Sequence, residues 1–167
     1  MPCVRRRRHM RKLTWGVAAA TMMLAEPAYA LDIGRTVEVD AKPAAVWAAI
    51  GDFCGIGAWH PAVAKCEEAE ADGKTRRTLT LGDGAMIVEE LVAWDDDAMS
   101  YTYTAVEGPL PVDNYESTIT VTEAGEGSQI SWTGSFDAKG ATDAEAEEVM
   151  LGIYDAGLKG ITEKAGM

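Results

Sequence analysis

Hydrophobic and polar residues alternate along most of the chain between residues 34 and 136, as they do in strands that bury one face. The segment Gly34–Val39 is the first such stretch, and six more follow it, each ending near a turn that contains Gly or Asp. These six are residues 65–71, 75–81, 85–94, 100–106, 115–121 and 129–136. Short turns join antiparallel neighbours, so the pattern predicts an antiparallel sheet. Its last two strands place on the covered face Tyr115, Ser117, Ile119, Val121, Ile130, Trp132, Gly134 and Phe136.

Two segments have helical spacing instead. Residues 43–53 ("PAAVWAAIGDF") begin with a proline that suits the first helical turn and repeat apolar residues every three or four positions. Near the C-terminus, Thr142 and Glu145 have the spacing of a capping box that begins a long helix. The wide apolar stripe of that helix comprises Val149, Met150, Ile153, Tyr154, Ala156, Gly157, Leu158 and Ile161.

The order strand, helical segment, six strands and long helix predicts an α+β helix-grip fold. In this fold a curved seven-stranded antiparallel sheet surrounds a long C-terminal helix, with short helices after the first strand. Gly152, Gly157 and Gly160 lower helix propensity, and we expect them to let the helix lie close to the sheet. A curved sheet leaves room beneath the helix, so the fold also predicts an apolar cavity.

The N-terminus resembles a secretion signal. Six basic residues precede the apolar run Leu13–Ala25, which is too short to span a bilayer, and Ala28-Tyr29-Ala30 supplies small residues for cleavage. We therefore predict a cleaved signal peptide at residues 1–30 and a single domain at residues 31–167. The mature protein is expected to be periplasmic or secreted, and the alternative is an uncleaved membrane anchor.

Composition narrows the partners and the chemistry. The chain has a net charge of −12, and removal of the basic leader makes it more negative. An acidic surface repels the phosphate backbone, so nucleic acid is not expected as a partner, and a basic protein is one alternative. Outside the leader the cysteines are Cys54 and Cys66, which an oxidising compartment would join in a disulfide; two free thiols are the alternative. One histidine, His60, then remains, so we predict neither a metal site nor a cofactor.

The sequence around these residues resembles a known superfamily. Residues 46–67 ("VWAAIGDFCGIGAWHPAVAKCE") resemble the first-helix region of START-like (SRPBCC) proteins of the polyketide cyclase/dehydrase branch, a superfamily that includes the birch-pollen allergens. Residues 88–122 resemble the middle strands of that branch and of the plant abscisic-acid receptors. Exported members similar to this chain are MxaD-like proteins, which are associated with periplasmic methanol oxidation. The resemblance implies that two loops flank a cavity mouth, comprising Gly82, Asp83, Gly84, Gly108, Pro109, Leu110 and Pro111. The loops lack the gate and latch motifs of the plant hormone receptors, so hormone sensing is not implied. "NYES", residues 114–117, does match those receptors and implies that Tyr115 and Ser117 face the pocket.

Several polar and aromatic residues are candidates for ligand contact. His60 falls where the receptors hold a ligand-pairing lysine, so it is expected either to pair with an anionic ligand group or to brace its loop through a backbone carbonyl. Glu89 is expected to face the cavity, where burial would raise its pKa, or to pair with Arg77. The predicted ligand-binding set is Trp59, His60, Glu89, Tyr115, Ser117, Trp132 and Tyr154. The alternatives are that Trp59 plugs the break after the first helix and that Trp132 packs in the core.

These observations favour an exported protein that binds or carries a small, largely apolar molecule between the sheet and the last helix. Catalysis is less favoured because no pair among the candidates forms a recognisable catalytic motif. The alternatives are a cyclase or dehydratase that uses Glu89 and His60 as its acid–base pair, and a ligand-free accessory protein that docks to a periplasmic redox partner.

Overall fold

The computed structural model describes residues 30–166, which form one antiparallel sheet and a small number of helices. The predicted signal peptide lies almost wholly outside the described residues. The strands are β1 (Leu31–Val39), β2 (Val63–Ala71), β3 (Lys74–Leu81), β4 (Met86–Asp95), β5 (Ser100–Glu107), β6 (Val112–Ala124) and β7 (Gly127–Ala138). Within this described part the sheet has seven strands in the order β1-β7-β6-β5-β4-β3-β2. The predicted α+β helix-grip architecture is therefore confirmed.

Three helices and a 3-10 turn complete the fold within residues 30–166. Helix α1 (Pro43–Ile50) follows β1, and a 3-10 turn (Phe53–Gly55) leads into the single-turn helix α2 (Ile56–Trp59). Helix α3 (Asp143–Ala165) crosses the concave face of the sheet and begins with the predicted capping box. Helix α1 ends earlier than predicted because Gly51 adopts a positive φ of 76°, a conformation that stops the helix before Phe53.

The alternation of residues in β6 and β7 defines the inner face as predicted. Tyr115, Ser117, Ile119 and Val121 are all buried, and so are the aromatic side chains of Trp132 and Phe136 opposite them. The outer face of the same strands carries threonines and carboxylates that are half-buried or exposed. The burial of one face and hydration of the other explains why the strand period could be read from the sequence.

The buried side of α3 differs from the predicted stripe at one position. Met150, Tyr154, Leu158 and Ile161 are buried, whereas Val149 is 46% exposed. Val149 lies about 100° around the helix from Met150 and farther still from Tyr154 and Leu158, so it points away from the sheet. The stripe is narrower at the N-terminal half of the helix than we predicted.

Two of the three helix glycines let α3 approach its neighbours closely. A Cβ at Gly160 would lie 1.8 Å from the carbonyl oxygen of Trp59, and one at Gly157 would lie 2.5 Å from the ring of Trp132. At Gly152 a Cβ would meet nothing within 4 Å. The close-approach hypothesis therefore holds for the C-terminal half of α3 and not for its N-terminal half.

Candidate ligand-binding cavity

An apolar cavity of about 80 Å³ lies under the N-terminal half of α3. Its walls come from the middle strands, the β5–β6 loop and the helix, and they include Leu79, Ile87, Leu110, Met150 and Ile153. The polar side chains that reach it are those of His60, Glu89, Tyr103 and Tyr115. The predicted cavity is thus present between sheet and helix, and its lining is mostly hydrocarbon.

The size of the cavity restricts what it holds in this conformation. Pockets for drug-sized ligands usually enclose about 300–1,000 Å³. An apolar cavity of about 150 Å³ is enough for benzene. At about 80 Å³, this cavity accommodates a molecule smaller than benzene unless its walls move.

A buried ion pair forms one wall. Arg77 on β3 lies directly across the sheet from Glu89 on β4, and its Nε donates to the Glu89 Oε2 at 2.6 Å. Arg77 is 1% exposed, it donates from Nη1 to the carbonyl oxygen of Phe53, and its guanidinium lies 4.1 Å from the centroid of the Phe53 ring. Burial alone would lower the pKa of Arg77, but its interactions with Glu89, Tyr101 and Tyr103 together outweigh the burial, so the pKa lies above its ordinary value. The pairing alternative proposed for Glu89 is the arrangement found.

A chain of neutral hydroxyl groups runs from the cavity wall into the core. The Tyr103 hydroxyl is 3.2 Å from that of Tyr115, which is 2.9 Å from that of Tyr154. The Tyr154 hydroxyl is in turn 2.9 Å from the Ser117 Oγ, which also accepts a hydrogen bond from the Trp132 indole. Burial raises the pKa of all three tyrosines above the ordinary value, so their hydroxyls stay protonated.

His60 is buried, and both of its ring nitrogens have backbone partners. Nε2 lies 3.1 Å from the Ile153 carbonyl oxygen on α3, and Nδ1 accepts from the Ala62 N–H at 3.2 Å. These partners require a neutral ring with the proton on Nε2. Burial lowers the pKa of His60; the bond to Ile153 opposes this shift, and the charge of Arg77 adds to it. The bracing alternative is the arrangement found, and this neutral imidazole offers no free N–H to an anionic ligand group.

The other predicted ligand-binding residues divide between the cavity and the packing behind it. Trp132 lines the cavity, whereas Trp59 donates its indole N–H to the Ile50 carbonyl oxygen in the core. Ser117 and Tyr154 belong to the hydroxyl chain and support the wall from behind. Their roles toward a ligand remain predictions.

The predicted mouth loops contribute less than expected to the cavity surface. Leu110 lines the cavity, and Leu81, which immediately precedes the Gly82–Gly84 turn, does so too. Gly108 has a φ of 153° and lies against Ile87, where a Cβ would come within 3.2 Å of its side chain. A role for these loops in admitting a ligand remains a prediction.

The cysteine pair is joined as predicted. Cys54, in the 3-10 turn, forms a disulfide with Cys66 on β2. The bond fixes the turn that carries Phe53, whose carbonyl accepts from Arg77. The sequence "FCGIGAWHPAVAKCE" is therefore a support for the cavity wall.

Sequence reasoning missed several lining residues. Tyr103 was within a predicted strand, and its alternation with Tyr101 in "SYTYTAV" was the signal that placed it on the inner face. Leu79 and Ile87 lie in predicted strands and Met150 in the predicted apolar stripe, but nothing in the sequence distinguished them from other core residues. Whether an apolar side chain borders a void or fills it depends on packing, which the sequence pattern does not encode.

Residues 30–166 contain neither a metal-ligand cluster nor a membrane-spanning helix. No group of three or more His, Cys, Asp or Glu side chains in this range is arranged to hold a metal ion. No helix in the same range combines the length and hydrophobicity needed to cross a bilayer.

Residues 30–166 match the family described as "Polyketide cyclase / dehydrase and lipid transport", and the chain belongs to this family. XoxI from Bacillus cereus is 33% identical, with a TM-score of 0.74 over 79% of this chain and 93% of that one. An uncharacterised protein from Bacillus thuringiensis is 31% identical, with a TM-score of 0.75 over 82% of this chain and 100% of that one. Ara h 8.0201, at 19% identity, shares the fold with a TM-score of 0.68 over 82% of this chain and 98% of that one. The START-like resemblance is confirmed, and the likeness to MxaD-like members stays a prediction.

Proposed function

We propose that this protein is an exported binding or carrier protein for a small, largely apolar molecule held between the sheet and α3. The observation that carries the proposal is the cavity of about 80 Å³ with hydrocarbon walls. A cavity of this kind in a well-packed core has a cost in stability, because each void forfeits dispersion contacts. Occupation by an apolar guest recovers those contacts.

Binding is favoured over acid–base catalysis by the state of the two candidate catalytic groups. Glu89 is paired with Arg77, and both ring nitrogens of His60 have backbone partners. A general base needs a free lone pair within reach of the substrate proton. Using His60 in that way would require breaking its contact with the Ala62 N–H.

Native mass spectrometry of protein purified from its own cells tests the binding proposal. We expect a co-purifying small molecule, and we expect the variant Ile153→Trp to lose it, because Ile153 lines the cavity and an indole would fill the space. The matched control is Leu151→Trp, on the same helix but outside the cavity lining. A wild-type protein that is always empty, yet forms a salt-sensitive complex with a basic partner, would support the docking alternative instead.

Export is proposed on separate grounds. The support is the leader-like sequence of residues 1–30 together with the Cys54–Cys66 disulfide, which is the state expected in an oxidising compartment. Cell fractionation combined with thiol alkylation tests it. Recovery of the protein in the cytoplasm with both cysteines alkylated would contradict the proposal.

A further inference from the structure

The hydrogen bonds of the buried hydroxyl chain have one consistent direction. The Ser117 Oγ lies 2.7 Å from the Thr133 carbonyl oxygen, which only accepts, so Ser117 donates there. The Ser117 oxygen then accepts from Trp132 and from Tyr154. With its proton used in this way, Tyr154 accepts from Tyr115.

The donor and acceptor roles of the remaining hydroxyl groups, those of Tyr115 and Tyr103, follow from the role of Tyr154. Tyr115 donates to Tyr154, so the contact between Tyr115 and Tyr103 carries the Tyr103 proton. Every hydroxyl proton of these residues is therefore used in a hydrogen bond within the series, which ends at the Thr133 carbonyl. The Tyr103 side chain lines the cavity, and its oxygen keeps unshared electron pairs.

The remaining polar side chains of the lining also lack a free donor. Glu89, a carboxylate paired with Arg77, is an acceptor, and within residues 30–166 its Oε1 receives no hydrogen bond. The proton of His60 is directed to the Ile153 carbonyl. The Arg77 Nη2 has no partner within the described residues, but Arg77 lies over the Phe53 and Tyr103 rings and is not part of the lining.

We infer that the cavity selects a compact, uncharged molecule that donates a hydrogen bond through O–H or N–H to Glu89 and Tyr103, and that it rejects carboxylates. This inference rests on the proposed binding function and specifies the ligand class. A guest with acceptors alone would leave the Glu89 oxygen unpaired and lose its own hydration. A carboxylate would meet a second carboxylate, and an ammonium would find Glu89 already neutralised by Arg77.

A set of probes of equal size tests the inference. A cavity of about half the volume that admits benzene, which has six non-hydrogen atoms, takes a guest of about three or four. Isopropanol, acetone, acetate and isopropylammonium all have about that size and one branched shape, and they differ in donor capacity and charge. Titration of each, followed by methyl NMR signals of Met150, Ile87 and Ile153, reports occupation of the cavity directly.

We expect isopropanol to bind about tenfold more tightly than acetone, and both charged probes to bind more weakly than isopropanol. The variant Tyr103→Phe removes one acceptor and is expected to reduce the ratio of the isopropanol and acetone affinities by several-fold. Tyr101→Phe is the control, since Tyr101 is buried on the same strand but does not line the cavity.

Equal affinities for isopropanol and acetone, or tighter binding of acetate, would overturn the inference and leave the binding function standing. The same applies if Tyr103→Phe and Tyr101→Phe change the ratio alike. Methyl signals that respond to none of the four probes would overturn the inference together with the binding proposal.

Discussion

The two halves of the α3–sheet interface are built differently. In the C-terminal half, Gly157 and Gly160 bring the helix against Trp132 and Trp59, and Ile161 is fully buried; we call this the filled half. In the N-terminal half, Met150 and Ile153 face the cavity; we call this the hollow half. One helix thus has a close-packed anchor at one end and a binding wall at the other.

The difference shows how a small domain can carry a void. Protein cores are packed as densely as organic crystals, so a cavity has to be stabilised by its surroundings. Here the filled half, the Arg77–Glu89 pair and the hydroxyl chain fix the surrounding elements. We therefore expect a larger side chain to be tolerated in the hollow half and to destabilise the protein in the filled half.

The largest loss of stability is expected when the buried ion pair beside the hollow half is broken. Glu89→Ala leaves the buried Arg77 without its partner, and we expect a loss of about 3–5 kcal/mol in the free energy of unfolding, measured by urea denaturation. The adjacent Glu90→Ala is the control, since Glu90 pairs with Lys74 and Arg76 on the outer face and its loss should cost less. Equal losses in the two variants would contradict the role assigned to the buried pair.

A smaller effect is expected when the filled half is forced apart. Gly160→Ala places a Cβ 1.8 Å from the Trp59 carbonyl oxygen, and we expect a loss of about 1–3 kcal/mol in the free energy of unfolding. Gly152→Ala, where the Cβ meets nothing within 4 Å, should instead raise stability by about 0.5–1 kcal/mol through helix propensity. Thermal denaturation of both variants checks this contrast, and destabilisation by Gly152→Ala would refute it.

The pH dependence of stability tests the His60 contacts. The pKa of folded His60 lies below its ordinary value of 6.5, so the unfolded chain binds the proton more readily. The contribution of neutral His60 is therefore present above about pH 6.5 and is lost as the pH falls below it, at most about 1.4 kcal/mol per pH unit. We expect His60→Gln to flatten the stability profile between pH 7.5 and 5.5, measured by urea denaturation at a series of pH values. A wild-type profile as flat as that of the variant would falsify the assignment.

The smallest effect is expected for added volume at the cavity. Ile153→Phe should change the free energy of unfolding by less than about 1 kcal/mol, because the larger ring enters existing space. The same substitution at Ile161, which is fully buried in the filled half, should cost about 1–3 kcal/mol. Urea denaturation of the pair compares the two halves directly, and equal costs would show that the hollow half has no usable space.

The sequence predicted the architecture well because local patterns determine it. The alternation of Tyr115, Ser117, Ile119 and Val121 identified the inner face of β6, and Thr142 with Glu145 identified the start of α3. The alternation pattern placed Arg77 and Glu89 on the inner face of neighbouring strands, so their pairing was one of the two alternatives predicted, and the two residues do lie opposite each other.

The details of the site depend on packing between distant segments and were only partly predictable. Trp59 was expected at the pocket but donates to Ile50 behind it, because the 3-10 turn and α2 reorient the chain after Gly51. The partners of His60 are a carbonyl on α3, 93 residues away, and the nearby Ala62 N–H. No local pattern encodes a contact with so distant a carbonyl.

The most direct test of the account is the location of xenon in crystals of the protein pressurised with the gas. Xenon enters apolar cavities and reports them without any assumption about the natural ligand. We predict a xenon site bounded by Leu79, Ile87, Met150 and Ile153 and none around the fully buried Ile161 in the filled half. Crystals in which the hollow half takes up no xenon would contradict the existence of a binding cavity in this protein.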